Sequence, residues 1–175
     1  MKKASKPFWF IVFPSSIGWF AILGINNQIK ELTFGHKSAQ AAKKALTGCF
    51  LHQAQKLPQK PPLIRRFQAY IQGTRDDFSD IKLDLGTLTN FQRRIFGLCR
   101  KIPFGTTVNY GRLAAMAGSP RAGRAVGNCM AKNKVPIIIP CHRVVGANGH
   151  IGSYSAYGGT RMKKRLLALE NLSKK

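Results

Sequence analysis

Two short apolar runs, residues 8–13 and 19–24, flank Pro14, Ser15, Ser16 and Gly18. That spacing predicts a β-hairpin with its turn at 14–18. Short strands and turns continue to residue 35, with Asn26-Asn27 marking one turn. Residues 38–55 are Ala-rich, carry lysines and lack an internal proline, so a helix is predicted there. Pro58, Pro61 and Pro62 then interrupt the chain, and a further helix is predicted over 63–72. The polar segment 73–86 holds four of the six acids, Asp76, Asp77, Asp80 and Asp84. It reads as a connection between two units, with strand character near 81–84, and the boundary is placed at residue 86. The first unit is then 1–86 and the second 87–175.

The second unit has a cleaner helical pattern. Thr89 is a candidate N-cap for a helix over 90–101, with Phe91, Ile95, Leu98 and Cys99 on one face. Pro103-Phe104-Gly105 ends it. A helix over 110–117 closes at Gly118, and Ser119 and Pro120 suit the N-cap and first-turn positions of another helix running to 131. Two short helices joined by a tight turn form a helix-turn-helix pattern. The second carries Arg121, Arg124 and Lys132, no acid, and the small residues Ala122, Gly123, Ala125 and Gly127. Small side chains let a helix lie close to a surface, which is either another helix or a nucleic-acid groove.

Composition sharpens that choice. The net charge is +23, and Glu170 is the only acid after residue 86. Such an excess concentrates polyanions near the protein and speeds association with them, which makes nucleic acid the leading partner class over an anionic membrane surface. Lys2, Lys3 and Lys6 ahead of the run 8–13 imitate a signal peptide, but the run is short and stops at Pro14. No stretch reaches the roughly 18 apolar residues of a membrane span. Asn171-Leu172-Ser173 matches a glycosylation sequon without further support. The four cysteines, Cys49, Cys99, Cys129 and Cys141, contain no C-x-x-C pair or disulfide framework. A reducing compartment is expected: cytoplasmic, or nuclear in a eukaryotic cell. Cys49 and His52 form a lone C-x-x-H with no second ligand pair in view, so no metal is expected.

The segment 135–145 is the most informative. An apolar run bounded by Pro136 and Pro140 delivers Cys141-His142-Arg143 into a loop or turn. Positive neighbours favour a thiolate, so a reactive cysteine with a lowered pKa is one reading. A structural cysteine and a metal ligand are the others, because adjacent residues need not face each other.

Five separated motifs decide between them. Pro140-Cys141-His142-Arg143-Val144 resembles the active-site signature of the O6-alkylguanine-DNA alkyltransferases. Residues 108–114 (VNYGRLA) and 122–127 (AGRAVG) resemble that family's first motif helix and recognition helix. Asn133 lies eight residues before Cys141, as the family's hinge asparagine does. Gly158-Gly159 followed by Leu166-Leu167-Ala168-Leu169-Glu170 resembles the closing helix. The likeness covers residues 88–172 and, more loosely, the hairpin-then-helix pattern before them.

The resemblance implies an α+β fold, with a small N-terminal β-sheet plus helices ahead of a mainly helical C-terminal domain holding the helix-turn-helix and a cysteine loop. It implies DNA repair by direct reversal, in which an alkyl group passes irreversibly from O6-alkylguanine, with O4-alkylthymine as a second substrate, to Cys141. His142 would take the thiol proton through a water, Glu170 would orient His142, Tyr110 would donate toward the departing guanine, and Asn133 would brace the turn before Cys141. Arg124 would fill the gap left by the flipped nucleotide, with Arg121, Ala122, Gly123 and Tyr110 on the DNA. Pro136 and Tyr154 would wall the alkyl pocket, with Met130 and Gly152 beside them. Backbone groups of Cys141, Val144 and Ser155 would read the guanine edge. The expected partner is double-stranded DNA containing O6-alkylguanine, met by a monomer without cofactor, metal or membrane. The alternative is a lesion-binding relative without repair activity, which would lack the cysteine. Two departures stand out. Lys134 replaces the family's proline after the hinge asparagine, which is expected to loosen the turn or add a phosphate contact. Ala156 and Tyr157 resemble an insertion relative to the family's shorter members, and Tyr157 is expected to narrow the pocket entrance.

Overall fold

The structure, a computed structural model, describes residues 8–47, 51–57 and 62–172. Lys2, Lys3, Lys6, Cys49, Pro58, Pro61 and Ser173, which figure in the sequence reading, lie outside these residues.

The predicted hairpin forms from β1 (Phe8–Phe13) and β2 (Trp19–Ile25), paired from Phe8↔Ile25 to Phe13↔Phe20. Asn26 takes the left-handed φ of 51° that starts the next turn, a conformation asparagine tolerates. The chain then enters β3 (Gln28–His36), antiparallel to β2, and a two-residue β4 (Gln55–Lys56) joins β1 in parallel. The sheet order is β3-β2-β1-β4.

Period-2 alternation gives the sheet two apolar faces. Ile11, Phe13, Phe20 and Ile22 point into the main core, where Phe13 and Phe20 stack at 5.0 Å and Phe20 and Phe34 at 5.3 Å. Phe10, Ala21 and Leu23 face Ala42 and Leu46 on the other side. That second face is covered by α1 (Ala39–Lys44), only six residues long. The helix expected over 38–55 is therefore cut short. Leu46 turns into the sheet, and the Thr47 N–H (2.8 Å) and hydroxyl (3.2 Å) donate to the Glu31 carboxylate on β3. Tertiary bonds of this kind override the propensity of an alanine-rich stretch.

On the main face lies α2 (Pro62–Ile71), which buries Ile64, Phe67, Tyr70 and Ile71 at helical spacing. The connection that follows is firmly tied. Arg66 forks onto Asp76 (2.7 and 2.8 Å) and Asp80 (both 2.8 Å), and Arg100 donates to the carbonyls of Phe78 (2.7 Å) and Ile81 (2.6 Å). The strand character expected near 81–84 reduces to a single bridge, Ile29↔Leu83.

Thr89 caps α3 (Asn90–Arg100) in a full capping box with Gln92. Asn109 caps α4 (Tyr110–Met116), its side chain accepting from the Arg112 N–H at 2.7 Å. The next helix, α5 (Gly123–Ala131), starts later than expected, with Ala122 rather than Ser119 at its N-cap. Ser119 is already committed. Gly118, at φ 75°, closes α4 in a Schellman motif, with Gly118 N–H donating to Ala115 O and Ser119 N–H to Ala114 O, both 2.9 Å. Only after the turn over 119–122, closed by Ala122 N–H to Ser119 O, can α5 begin.

The chain then passes through a one-turn helix over Cys141–Arg143 into β6 (Val144–Val145), parallel to β5 (Val108–Asn109), and ends in α6 (Gly159–Leu172). The apolar core is continuous from Phe20 and Phe67 through Phe78 to Ile95, Leu113, Val126 and Leu166. The fold is α+β, a small sheet with helices followed by a mainly helical half. Among the described residues no helix is long and apolar enough to cross a membrane.

Candidate active site

Residues 135–140 are all buried and form a tight turn rather than a strand. Ile137, a β-branched residue, sits at φ 74°, a costly conformation that surroundings must impose. Asn133 imposes much of it. Its Nδ2 donates to Ile139 O at 2.8 Å, and its Oδ1 accepts from Val135 N–H at 3.1 Å. The same Nδ2 lies 3.0 Å from Cys141 Sγ, so the hinge asparagine touches the thiol as well as bracing the turn.

Lys134 makes two contacts with the N-terminal sheet. Its carbonyl accepts from Leu32 N–H of β3 at 2.8 Å, and its Nζ reaches Glu31 at 3.4 Å. Both bonds tie the hinge to the N-terminal sheet.

Cys141 is 3% exposed and lies at the floor of a cleft of about 540 Å³. One wall is Tyr110 of α4 with Gly123, Arg124, Gly127 and Met130 of α5, and the other is Gly152, Tyr154 and Ser155 of the loop before α6. The Tyr110 ring stands close to both α5 and the loop. A Cβ added at Gly127 would stand 4.0 Å from its ring, and one at Gly152 would stand 3.8 Å from its hydroxyl. The structure thus brings together most of the residues singled out in the sequence. Arg121 and Ala122 sit in the turn before α5, with Arg121 exposed and Ala122 packed on the core. Pro136 lines a neighbouring cavity instead, and Val144 is fully buried, its carbonyl accepting from Lys163 Nζ at 2.7 Å.

The electrostatics correct one expectation. Burial pushes the Cys141 thiol up, and the Asn133 amide, the Lys163 charge and the Tyr154 hydroxyl pull it back only in part. Arg143 does not face the thiol. Its guanidinium turns away onto Glu170 at 2.8–3.1 Å and onto Ile102 O at 2.7 Å. The resting group is therefore a protonated thiol that needs a base.

A base is present. His142 is fully buried, and burial lowers its pKa against the opposing pull of Glu170, so the ring is neutral near pH 7. Its Nε2 is 2.9 Å from Glu170 Oε1. A carboxylate there accepts the Nε2 proton, which leaves Nδ1 as the basic nitrogen. Nδ1 is buried and makes no hydrogen bond to protein.

Glu170 is gripped from several sides. Besides His142 and Arg143, the Tyr70 hydroxyl and the Gly105 N–H (2.9 Å) donate to it. Burial opposes its ionisation, but the hydrogen bonds from His142 and Arg143 outweigh that and hold it well below the usual carboxylate range.

Sequence reasoning missed Tyr70, the pairing of Arg143 and the role of Lys163. Lys163 is 1% exposed, and its Nζ stands 5.8 Å from the Tyr110 ring centroid. In sequence it hides in a basic run, Lys163-Lys164-Arg165, that reads as a solvated face. The signal that could have found it is helical spacing, since positions 163, 166 and 170 share one face of α6. Among the described residues no group of three His, Cys, Asp or Glu is placed to hold a metal.

A buried cysteine, a neutral histidine and a buried carboxylate thus lie together beside a basic helix-turn-helix, the combination of an enzyme site with a cationic surface. Residues 90–172 match the family described as 6-O-methylguanine DNA methyltransferase, DNA binding domain. A methylated-DNA–protein-cysteine methyltransferase of Methanosarcina acetivorans is 33% identical over 165 residues, 93% of this chain and 97% of that one. A Mycolicibacterium paratuberculosis protein of the same name is 43% identical over 107 residues, 61% of this chain and 62% of that protein. The alignment thus spans less than two thirds of that relative. The crystal structure of Mycobacterium tuberculosis OGT in complex with DNA superposes with a TM-score of 0.76 at 30% identity, covering 94% of this chain and 93% of that one. The chain belongs to the methylated-DNA–protein-cysteine methyltransferase family.

Proposed function

We propose that this protein repairs DNA by direct reversal, moving the alkyl group of O6-alkylguanine onto Cys141 once per molecule. The observation that carries this reading is the buried Cys141 thiol at the floor of a cleft, with Asn133 on its sulfur and a neutral His142 backed by Glu170. Residues 1–86 serve as scaffold and 87–175 carry DNA binding and transfer. The protein acts as a monomer on double-stranded DNA.

The lesion carbon is buried in the base stack, so the nucleotide must be flipped out, at a cost on the order of a few kcal/mol. Arg124, exposed on α5 at the cleft rim, fills the gap. The Cys141 proton passes through a water to His142 Nδ1, and the sulfur attacks the alkyl carbon. The S–C bond forms as the C–O6 bond breaks, with the electron pair leaving on guanine O6. Tyr110, whose pKa is raised by burial, keeps its proton and donates it toward the guanine ring. Once guanine has taken that proton, the proton held by the imidazolium replaces it on Tyr110, so neutral guanine, Tyr110 and His142 remain beside the S-alkyl cysteine. The product thioether is stable, which makes the reaction stoichiometric. The presence of Cys141 argues against a lesion-binding role alone.

The test is incubation with duplex DNA carrying labelled O6-methylguanine. Label is expected on Cys141 in a burst equal to the protein concentration, and continued turnover in excess substrate would refute the reading. The flipping role predicts more. Arg124→Ala should slow transfer from duplex DNA by about 10-fold or more while leaving transfer from free O6-benzylguanine base little changed, since only the duplex must be unstacked. Equal loss on both substrates would instead assign Arg124 to the pocket itself.

A further inference from the structure

We propose that Tyr157 is a positioning residue that sets which alkyl groups the Cys141 cleft accepts, by clasping the cleft's loop wall to the N-terminal sheet through His36. The inference rests on the alkyl-transfer reading above.

Tyr157 was expected at the cleft entrance, but it does not line the Cys141 cleft. Its ring packs on His36, the last residue of β3, with centroids 4.4 Å apart and planes 34° apart. His36 is itself fixed. It is buried, and its Nε2 bonds the Thr33 hydroxyl at 2.6 Å. Gly35 lets β3 come this close. It holds φ 85°, and a Cβ there would stand 2.7 Å from Met162 Cε and 3.6 Å from the Tyr157 ring.

Behind the loop lies a second cavity of about 380 Å³, lined by Thr33, His36, Pro136 and Tyr157 among others. Ser155 borders both this cavity and the Cys141 cleft, so the loop is the partition between them. A partition with empty space behind it yields unless something holds it. Ala156 packs on the main core and Thr160 Oγ1 donates to Gly152 O at 3.2 Å; the Tyr157 ring on His36 adds the hold toward the sheet. Held, the loop keeps the cleft narrow and favours a methyl group. Released, it retreats into the second cavity and makes room for a planar benzyl group.

The experiment measures second-order transfer constants of the full chain on one duplex carrying either O6-methylguanine or O6-benzylguanine. The readout is the benzyl-to-methyl ratio, which cancels any loss of folded protein. Tyr157→Ala is expected to raise the ratio by about 5-fold or more, within the range that one group's fit in a pocket produces. His36→Ala should do the same, and the double variant should add nothing further because both remove one contact. Tyr157→Phe keeps the ring and should keep the parent ratio. An unchanged ratio in Tyr157→Ala, with both rates falling together, overturns the proposal. So does a change in Tyr157→Phe as large as in Tyr157→Ala. A parent that transfers neither group defeats the alkyl-transfer reading itself, an outcome distinct from the other two.

Discussion

Glu170→Ala is expected to lower stability by about 3–5 kcal/mol, the usual cost of leaving a buried ionic partner alone, and to slow alkyl transfer by about 100-fold or more. Glu170 is fully buried and answers four groups at once: the Arg143 guanidinium, the His142 ring, the Tyr70 hydroxyl and the Gly105 N–H. Each of them faces the carboxylate as a donor. Glutamine is therefore no conservative replacement, because its NH2 group would point at groups that also donate. Denaturant unfolding measures the first effect and single-turnover transfer the second. The acid limb supplies a check on sign. The folded pKa lies below the unfolded value, so the stabilisation is full above about pH 4.3 and fades as pH falls toward the folded pKa. The parent should lose stability over that window, and Glu170→Gln should lose less. Arg143→Met combined with Glu170→Leu separates structure from chemistry. Replacing the whole pair by apolar residues removes the unpaired charge, and recovers only part of the stability because the His142 ring, the Tyr70 hydroxyl and the Gly105 N–H lose their acceptor; it also leaves His142 without its orienting carboxylate. Parent-like transfer in that double variant would show that Glu170 only holds the fold.

Much of the frame was legible because it depends on local chemistry. The hairpin follows from two apolar runs around Pro14-Ser15-Ser16, and the start of α3 from Thr89 with Gln92 three residues on. The failures share a cause: a distant partner took over a residue whose local meaning looked clear. Thr47 ends a helical stretch because Glu31, sixteen residues back, accepts its N–H. Ser119 looked like a helix N-cap, but its N–H closes the helix before it. Arg143 stands two residues from Cys141 in sequence, where a positive neighbour is one route to a lowered thiol pKa, yet it spends its charge on Glu170, 27 residues away. Tyr70 reads as one more apolar position of α2, and no pattern announces that its hydroxyl reaches the relay from the first unit. The members of the site could be named from motif spacing. Their protonation states could not, because burial sets them, and burial is a property of the assembled core.

Lys163→Met is expected to slow transfer at neutral pH by about 10-fold for each unit by which the thiol pKa rises, and to move the pH–rate curve toward alkaline pH. The thiol already sits above its ordinary value because it is buried, so any reactive thiolate depends on what offsets that burial. Three side chains do so beside a backbone hydrogen bond at Cys141 itself: the Asn133 amide, the Lys163 ammonium and the Tyr154 hydroxyl. Lys163 alone among them carries a full charge, and it is fixed at 2.7 Å on Val144 O in a site with almost no water access. Charges in such surroundings are weakly screened. Methionine keeps the length and apolar bulk of the side chain, so the structural loss is confined to one hydrogen bond at the Val144 carbonyl, about 1 kcal/mol. The thiol can be titrated without DNA by following iodoacetamide alkylation of Cys141 against pH by mass spectrometry, which also distinguishes it from Cys49, Cys99 and Cys129. The midpoint should rise in Lys163→Met, and Lys163→Arg, which keeps the charge, should lie between Met and the parent. The sign is fixed, because removing a cation can only disfavour the thiolate. An unmoved Cys141 midpoint in Lys163→Met would exclude Lys163 from the activation of the nucleophile and leave it as a strut between α6 and Val144.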